Sequence, residues 1–331
     1  TIRAVKRGER HAHFNKLLLD RMEETLGGGG QAMLFQNRRG FAPYVECREC
    51  GWTARCPDCN VTLTLHKGSG RMVCHYCGHT EPVPAKCPHC RVTEPVPMGF
   101  GTEKVEEEIA RVFPEARVAR LDRDSVTSER AFRQIVEAFA RGDDDILVGT
   151  QMITKGFDFG GVELVGVLNA DNLLNNPDFR SAERAFQLLM QVAGRAGRAE
   201  LDGRVMVQTY EADDVAIRAA ATYNRGMFLR AELPKRKLLG YSPYVRMANV
   251  LLWGADEHAV ATEAELLHAQ LAELIRNEVG ERWQVLPAVP CVLAKLRNTY
   301  RYHIVVKAPL GDDLSAPLVR LFRARKVNPA V

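Results

Sequence analysis

The sequence predicts an α/β protein in three parts: a parallel sheet layered with helices, a cysteine-rich metal-binding segment inserted in it, and a smaller α/β domain. Two observations carry this prediction. Strand-like and helix-like segments alternate from residue 99 onward, which is typical of a parallel sheet covered by helices. Eight of the nine cysteines fall between Cys47 and Cys90, which marks that stretch as a separate unit. The length of 331 residues allows two or three domains.

The elements of the parallel layer follow one another in chain order. The run GGGG at residues 27–30 breaks any helix, and residues 32–36 then indicate a short apolar strand. Beyond the cysteines, the predicted segments are KVEEEIARVF (helix), ARVARLD (strand), AFRQIVEAFARG (helix), DILVGT (strand), VELVGVLNAD (strand), ERAFQLLMQVAGRAGR (helix) and RVMVQTY (strand). VELVGVLNAD is nearly all apolar, as expected for a strand buried on both faces. Gly142 is expected to end the helix before DILVGT.

After about Glu211 the pattern loosens into the smaller domain. The segment DDVAIRAAATYNRGMFLRAELPKRKLLGYSPY is expected to be helical at first and then irregular and basic. RMANVLLWG, WQVLPAV and RYHIVVKA indicate strands, and HAVATEAELLHAQLAELIRNEV indicates a strongly periodic helix. Asp256-Glu257-His258 has the letters of a helicase acidic box, but it follows a strand and begins a helix. We therefore predict that Asp256 is a helix N-cap.

The clustered cysteines form four CxxC pairs, and each pair can present two thiolates to one metal ion. Four thiolates suit tetrahedral zinc, so the segment predicts two zinc sites. Reduced or disulfide-linked cysteines and an iron–sulfur cluster are the alternatives. In a chain without a secretion signal, metal binding is favoured over disulfides.

The spacing of the pairs predicts which of them share a metal. Only five residues separate Cys50 from Cys56, whereas fourteen separate Cys59 from Cys74, and VTLTLHKGSGRMV between the latter indicates a hairpin. We therefore predict nested sites. The inner site consists of Cys56, Cys59, Cys74 and Cys77, and the outer site of Cys47, Cys50, Cys87 and Cys90. Four nearby histidines could in principle replace a cysteine as a metal ligand, but with a full set of thiolates we expect them to be exposed: His66, His75, His79 and His89.

Charge and composition restrict the setting of the protein. The net charge of +4 permits nucleic-acid binding without indicating it. The first residues lack the apolar core of a secretory signal, and no run of about 18 apolar residues indicates a membrane span. We therefore expect a cytoplasmic protein. A chain that begins at Thr1 without methionine suggests a piece of a longer protein.

The stretch QVAGRAGR, residues 191–198, places two arginines three residues apart, each after a glycine. An arginine can direct two hydrogen bonds onto one phosphate and can stabilise the charge that develops in phosphoryl transfer. The pair therefore suits a nucleotide phosphate, with a solvated basic helix end as the alternative. The rest of such a site is missing from the sequence, which has neither GxxxxGK[ST] nor any GK dipeptide.

Several motifs occur in one order: FQNRRG, four CxxC pairs, GFGTE, RLDRD, DILVGTQMITKG, PDFR, ER and QVAGRAGR. In this order the sequence resembles the C-terminal half of the PriA family, the primosomal DNA helicases of replication restart (primosomal protein N′). The resemblance implies a second RecA-like helicase lobe at residues 1–46 and 99–212 and a zinc-binding domain at residues 47–98 inserted in it. A C-terminal DNA- and partner-binding domain would occupy residues 213–331.

The resemblance implies nucleotide contacts at two places. Gln191, Arg195 and Arg198 would face the ATP phosphates, with Arg198 as the arginine finger. Gly156 and Asp158 would lie near the nucleotide. Their loop reads KGFDF where the family often has KGHHFP, so no histidine role carries over.

DNA contacts are implied at two further places. Thr150 and Lys155 would lie near the DNA backbone. Arg297, Tyr300 and Arg301 form a candidate basic–aromatic cluster for DNA and for the tail of single-stranded-DNA-binding protein. A strand-edge loop with solvated charge is the alternative for that cluster.

The function that the resemblance implies is the C-terminal portion of an ATP-dependent 3′-to-5′ DNA helicase. Such a helicase recognises stalled or forked DNA and initiates primosome assembly in replication restart. The cofactors would be two Zn²⁺, with ATP and Mg²⁺ in the complete protein. The partners would be forked and single-stranded DNA, single-stranded-DNA-binding protein and other primosome proteins, and the protein would be a monomer.

Because the P-loop and acidic box are missing, we expect this chain to be inactive as an ATPase on its own. Two other functions remain open. One is a non-enzymatic zinc-containing nucleic-acid or protein adaptor derived from a helicase lobe. The other is a superfamily-two enzyme that uses the same lobe on RNA.

Overall fold

The computed structural model of the chain describes residues 10–11, 14–36, 44–47, 49–58, 61–66, 70–74, 76–92, 94–97, 102–122, 125–126, 128–154, 159–196, 203–296 and 298–324. Its elements form a parallel-sheet lobe, a cysteine-rich insertion and a C-terminal unit with an antiparallel sheet. Among the helices in these ranges, none combines the length and the apolar composition that a membrane crossing needs.

The first elements begin the lobe. They are β1 (Arg10–His11), β2 (Phe14–Asn15), α1 (Lys16–Gly27) and β3 (Gln31–Phe35). The Asn15 side chain caps α1, because it accepts a 2.8 Å hydrogen bond from the Leu17 N–H. All of β3 is buried, since this strand occupies the middle of the sheet.

The cysteine-rich insertion follows β3 and contains five short strands. They are β4 (Val45–Glu46), β5 (Thr64–His66), β6 (Arg71–Val73), β7 (Thr80–Pro82) and β8 (Val96–Pro97). Strands β4 and β8 pair antiparallel, so the chain enters and leaves the insertion side by side. Strands β5, β6 and β7 form a second antiparallel sheet, and the predicted hairpin is confirmed as β5 and β6.

The chain then completes the lobe with alternating helices and strands. They are α2 (Thr102–Val112), β9 (Val118–Leu121), α3 (Glu129–Arg141), β10 (Ile146–Gly149), β11 (Val162–Val167), α4 (Asp171–Leu174), α5 (Ser181–Ala193), β12 (Arg204–Val207), α6 (Val215–Ala221) and α7 (Arg225–Leu238). A 3₁₀ turn, Gln151–Thr154, follows β10. Gly142 ends α3 with φ of 84°, as predicted.

The sheet of the lobe has the strand order β12-β11-β3-β10-β9, and every neighbouring pair is parallel. One apolar layer, which includes Phe139 and Val192, lies between the sheet and helices α3, α5, α6 and α7. A second layer, which includes Leu18 and Ile109, lies between the other face and helices α1 and α2. Helices thus cover both faces of a parallel sheet, and the predicted fold class is confirmed.

Helices α6 and α7 pack into this lobe, although the sequence placed residues 213–331 in the C-terminal domain. Phe228 of α7 lies in the same apolar layer as Phe186 of α5, and the two rings stack with centroids 4.8 Å apart. Helix α7 also continues to Leu238, through the basic segment expected to be irregular. Its last turn is held by the buried side chain of Arg236, which contacts the lobe.

Helix α5 ends at Ala193, directly before Gly194, as expected for a helix that runs into the glycine pair. The Gly194 N–H donates a 3.2 Å hydrogen bond to the Met190 carbonyl and closes the last turn. Glycine has little preference for helix, so the repeat favours an end at this point.

The C-terminal unit is an antiparallel sheet with two helices. Its elements are β13 (Val245–Gly254), α8 (Glu257–Val279), β14 (Gln284–Val285), β15 (Val289–Leu296), β16 (Thr299–Pro309) and α9 (Ser315–Ala324). Strand β16 pairs with β13, β14 and β15. Asp256 caps α8, as predicted, by accepting a 2.7 Å hydrogen bond from the Ala259 N–H. WQVLPAV is divided between β14 and β15, because Pro287 has no N–H for the ladder.

Candidate functional sites

The first candidate site is a group of four cysteine sulfurs in the insertion. The sulfurs of Cys47, Cys50, Cys87 and Cys90 all lie within 4.8 Å of one another. Cys47 and Cys90 have sulfurs 3.6 Å apart, and the sulfurs of Cys50 and Cys87 are 3.7 Å apart. A tetrahedral zinc with Zn–S bonds of about 2.3 Å places its sulfurs about 3.8 Å apart. The geometry therefore fits one tetrahedral zinc ion.

Burial disfavours ionisation of a thiol in this group, so a bound metal ion would have to offset that cost. Burial raises the pKa of the Cys50 thiol to about 12, because a thiolate loses solvation there. A thiolate at this position needs a nearby positive charge to stabilise it. A metal ion among the four sulfurs would supply that charge.

A second group of sulfurs lies in the same insertion. Cys56, Cys74 and Cys77 have sulfurs within 4.8 Å of one another, and those of Cys56 and Cys77 are 3.5 Å apart. Cys59, the fourth member of the predicted inner site, lies outside the described residues. The seven described cysteines thus fall into two groups, one with the four members of the predicted outer site and one with three of the predicted inner site, and the place of Cys59 stays a prediction.

Local turns hold the cysteine pairs in these positions. In three of them, the N–H of the first cysteine donates a 2.8 Å hydrogen bond to the carbonyl five residues later. These donor–acceptor pairs are Cys47–Trp52, Cys56–Val61 and Cys74–His79. After the second cysteine, φ is 75° at Gly51 and 79° at Gly78. A glycine adopts this conformation without strain, which explains both residues.

No histidine joins either group of sulfurs among the residues that the structure describes. His89 is exposed. His79 is half-buried, and its Nε2 lies 3.7 Å from Glu81. The side chains of His66 and His75 lie outside the described part.

The insertion is docked onto the lobe by a buried polar network that the sequence analysis missed. The Tyr44 hydroxyl donates a 2.8 Å hydrogen bond to the Asn172 side chain, and Thr53 donates one of 3.2 Å to Asn175. Asp171, beside them in α4, accepts a 2.7 Å hydrogen bond from Thr209. The signal in the sequence was the polar run NADNLLNNP directly after a buried strand.

The second candidate site is the end of α5, which carries the QVAGR residues. Gln191 is exposed, Val192 is buried in the core, and Arg195 is half-buried after the helix end. An added Cβ at Gly194 would meet only ordinary contacts of 3.6 Å and more. Packing against the described residues therefore does not explain that glycine. Arg198 lies outside the described residues.

The turn after β10 lies next to this helix end. Ile153 of the turn and Ala196 belong to the same apolar layer, so the segment TQMIT and the segment GRA share one edge of the lobe. Thr150 is only 5% exposed, which leaves its side chain little surface for a ligand. Lys155, Gly156 and Asp158 lie outside the described residues.

Two of the quoted motifs, GFGTE and RLDRD, meet in the structure. The Thr102 hydroxyl donates a hydrogen bond to the Asp122 carboxylate, and both residues are buried. Asp122 also accepts a 2.8 Å hydrogen bond from the Ser125 N–H. These contacts fix the start of α2 against the end of β9.

All three units meet at one junction, which sequence reasoning did not find. The ring of Phe179, from the PDFR motif, stacks on Tyr241 with centroids 4.5 Å apart. Tyr76, between the inner cysteines, meets the Tyr241 ring edge-on at 6.2 Å. Arg236 lies over Phe179 at 5.4 Å, and Lys307 of β16 lies over Tyr241 at 4.4 Å. Cations over aromatic faces are attracted to them, so the junction is held by more than packing.

The structure describes two members of the candidate basic–aromatic cluster, Tyr300 and Arg301, and they lie on opposite faces of the C-terminal sheet. Tyr300 accepts a 3.0 Å hydrogen bond from Lys295 at the end of the strands. Arg301 lines a cleft between this sheet and α7. Adjacent residues of a strand point to opposite faces, so Tyr300 and Arg301 do not form one surface. Arg297 lies outside the described residues.

Three protein families match separate stretches of the chain. Residues 56–82 match the PriA DNA helicase Cys-rich region (CRR) domain. Residues 99–200 match the helicase conserved C-terminal domain. Residues 237–330 match the primosomal protein N C-terminal domain. The cysteine-rich match and the sulfur geometry together support zinc binding.

Curated relatives match nearly the whole chain. "Replication restart protein PriA" of Bacillus subtilis (strain 168) is 40% identical over 325 residues, which is 98% of this chain and 40% of that protein. The protein of the same name from Synechocystis sp. is 38% identical and covers 96% of this chain and 38% of its own length. That from Treponema pallidum is 41% identical, with 88% and 44% covered. The chain thus spans about two fifths of the length of these relatives.

Proposed function

Because this chain belongs to the PriA family, we propose that it is the C-terminal portion of an ATP-dependent 3′-to-5′ DNA helicase of replication restart. The proposal includes recognition of stalled or forked DNA and initiation of primosome assembly. The observation that carries it is the position of the QVAGR helix end at one edge of a parallel-sheet lobe. The helicase-domain match, which ends at residue 200, supports the same proposal.

The ATP site would be shared between this lobe and a part of the protein outside this chain. Arg195 and Arg198 would direct their guanidinium groups at the phosphates and stabilise the charge that develops on them. Gln191 would orient the attacking water or the phosphate from the exposed side of α5. Gly156 and Asp158 would line the nucleotide from the turn after β10. The P-loop and the carboxylate that holds Mg²⁺ would come from the other part.

The insertion would hold two structural zinc ions, one in each group of sulfurs. Cys59 would complete the inner site with Cys56, Cys74 and Cys77. Four thiolates leave no open position for a substrate, so each ion would stabilise the fold and take no part in catalysis. The insertion is small, and structural zinc supplies folding free energy where a large core cannot form.

The partners would be forked and single-stranded DNA, single-stranded-DNA-binding protein and other primosome proteins, and the protein would act in the cytoplasm as a monomer. Lys155 would contact the DNA backbone, and Thr150 would support that loop from its buried position. Arg297, Tyr300 and Arg301 would each contact DNA or a partner protein, with Tyr300 and Arg301 on opposite faces of the C-terminal sheet.

The domain boundaries that we propose differ from the sequence-based ones at one place. We propose that the lobe comprises residues 1–46 and 99 to about 238, since α6 and α7 share its core. The zinc-binding domain would be residues 47–98. The C-terminal domain would begin near residue 239, close to the start of the matched family at residue 237.

Substitution of the proposed arginine finger tests this function. In the longer protein, Arg198→Ala should lower DNA-stimulated ATP turnover by about a thousandfold or more while DNA affinity changes little. The matched control is Arg204→Ala, which removes an exposed arginine on β12 whose ion pair with Glu24 is at the surface. Turnover retained by Arg198→Ala would remove the proposed role. DNA binding without any turnover in the unsubstituted protein would favour the adaptor function.

A further inference from the structure

We propose that the helix-free face of the C-terminal sheet binds single-stranded DNA, with bases stacked on Trp253 and a phosphate held by Arg301. This face is defined by Leu251 and Trp253 of β13, Leu293 of β15, and Arg301 and His303 of β16. This inference rests on the proposed function: it assumes that the protein acts on DNA, and it identifies a surface that holds a single strand.

The two faces of this sheet have different surroundings. Val250, Leu252 and Ile304 point to α8 and pack against Val260 and Leu267 of that helix. Residues that alternate with them point the other way, since successive side chains of a strand lie on opposite faces. Leu251, Arg301 and His303 accordingly line a cleft on the side away from α8.

Charge is divided between the two layers of the unit. Strands β13, β14, β15 and β16 contain no aspartate or glutamate, and their fixed charges are all positive: Arg246, Lys295, Arg301 and Lys307. Helix α8 carries the opposite charge, with Glu257, Glu263, Glu265, Glu273 and Glu278 against the single Arg276. Arg246 and Lys295 alternate onto the α8 face, and Lys307 is 9% exposed and donates a hydrogen bond to the Leu239 carbonyl. Arg301 therefore supplies the positive charge that a polyanion would meet on the helix-free face.

Trp253 gives this face an aromatic surface. Its side chain is 54% exposed, which is unusual for so large an apolar group. In the pairing of β13 with β16, Trp253 lies directly opposite Arg301, and Leu251 lies opposite His303. An indole beside a guanidinium on one open face can take a base on the ring and the adjoining phosphate on the cation.

The face continues into a cleft that suits a strand. The cleft has a volume of about 940 Å³ between the sheet and the wall made by α7 and residues 177–180. Its walls also contain three carboxylates, which could repel a polyanion. Each is paired with an arginine: Asp178 with Arg180 and Arg184, and Glu183 and Glu232 with Arg236. Among the described walls, no carboxylate stands unpaired against the ligand.

A single strand fits this chemistry better than a duplex or an acidic peptide. A duplex keeps its bases stacked inside, so it would make no use of the exposed indole. An acidic peptide without aromatic residues would use Arg301 but would leave Trp253 without a stacking partner. Stacking of single bases on aromatic side chains is tolerant of sequence and strengthens binding along a basic groove.

The test uses this chain and an oligodeoxythymidine of about 15 nucleotides. Tryptophan emission should be quenched on binding, and Trp253→Phe should remove most of that quenching while affinity falls little. Trp253→Ala should weaken binding at least about fivefold, which corresponds to the loss of one stacked base. Arg301→Gln should weaken binding. The slope of log affinity against log salt concentration should also decrease in magnitude by about one, as expected for the loss of one phosphate contact.

The control is Arg276→Gln, which removes the same charge from the exposed surface of α8 and should leave affinity unchanged. Equal affinities of Trp253→Phe and Trp253→Ala would overturn the stacking site. Equal binding of a blunt duplex would overturn the assignment to single strands. If the oligonucleotide does not quench the emission of Trp253 in the unsubstituted chain, the proposal is overturned. This result does not depend on whether Trp253→Ala folds. The assay uses no ATP, so failure of ATP turnover in the longer protein would be a separate result.

Discussion

Arg236 of α7 donates a 2.9 Å hydrogen bond to the Glu183 carboxylate in the first turn of α5. The same guanidinium donates a 2.8 Å hydrogen bond to Glu232, and its side chain is 10% exposed. Helix α5 carries Gln191 near its other end, about 12 Å away along the axis. The N-terminal turn of the helix that presents the proposed phosphate contacts is therefore held at the junction of all three units.

Removal of Arg236 should strongly destabilise the fold. Arg236→Met leaves the Glu232 carboxylate, which is 11% exposed, and the half-buried Glu183 carboxylate without their cation, and we expect a loss of about 3 kcal/mol in the free energy of unfolding. Denaturant unfolding of the chain measures this loss. The control is Arg133→Met, which breaks an exposed pair with Glu129 and should cost less than about 1 kcal/mol. Equal losses would show that the junction is not buried as described.

Two glycines with similar backbone angles should respond differently to alanine. Gly51 and Gly70 have φ of 75° and 65°. At Gly51 an added Cβ would come within 2.3 Å of the Tyr210 Cβ, whereas at Gly70 no atom of the described residues lies within 4 Å. Gly70→Ala should cost about 1 kcal/mol for its backbone angle. Gly51→Ala should cost a further 1–3 kcal/mol or so from the clash, measured by unfolding. Similar costs would contradict the docking of the outer cysteine turn on Tyr210.

The metal content should follow the two groups of sulfurs. Elemental analysis should find about two zinc ions per chain, and Cys47→Ala and Cys56→Ala should each lower the content to about one. Cys291→Ala is the matched control, because Cys291 is buried in the C-terminal unit, away from both groups. A content of about one ion or none in the unsubstituted chain would contradict the two-site account.

Two tyrosines should fail to ionise in the folded chain. Burial raises the pKa of Tyr44 and of Tyr76, in each case because the phenolate would lose its solvation. A group with a raised folded pKa stabilises the fold below its unfolded value, about 10 for tyrosine, and loses that effect as the pH rises. In an alkaline titration followed by tyrosinate absorbance, the absorbance of Tyr44 and Tyr76 should appear only when the chain unfolds. Tyr44→Phe and Tyr76→Phe should then leave the reversible step unchanged, and a smaller reversible step would contradict the burial.

The features that the sequence predicted well are those set by short-range chemistry. The cap at Asp256 and the helix end at Gly142 depend on neighbouring residues, and both agree with the structure. The hairpin between the inner cysteine pairs follows from a local alternation of residues, and it is also present. Near-continuous apolar strands separated by helices were enough to indicate the parallel sheet.

Contacts between distant residues could not be predicted in the same way. Arg236 and Glu183 are 53 positions apart, and neither has a local pattern that marks it as buried. The sequence indicated helix after residue 213 but not which core that helix would join, so the boundary near residue 212 did not anticipate the packing of α6 and α7 into the lobe. The roles of Lys155, Gly156, Asp158, Arg198 and Arg297 stay predictions, because these residues lie outside the described part of the chain.

The most direct test of the central claim compares DNA-stimulated ATP hydrolysis by this chain with hydrolysis by the same chain joined to its native upstream sequence. The account predicts no turnover from the chain alone and turnover from the longer protein, because each holds a different share of one nucleotide site. Turnover by this chain alone would contradict a shared site. Absence of turnover from both would contradict the helicase function, and the arginines after α5 would then serve a different anion.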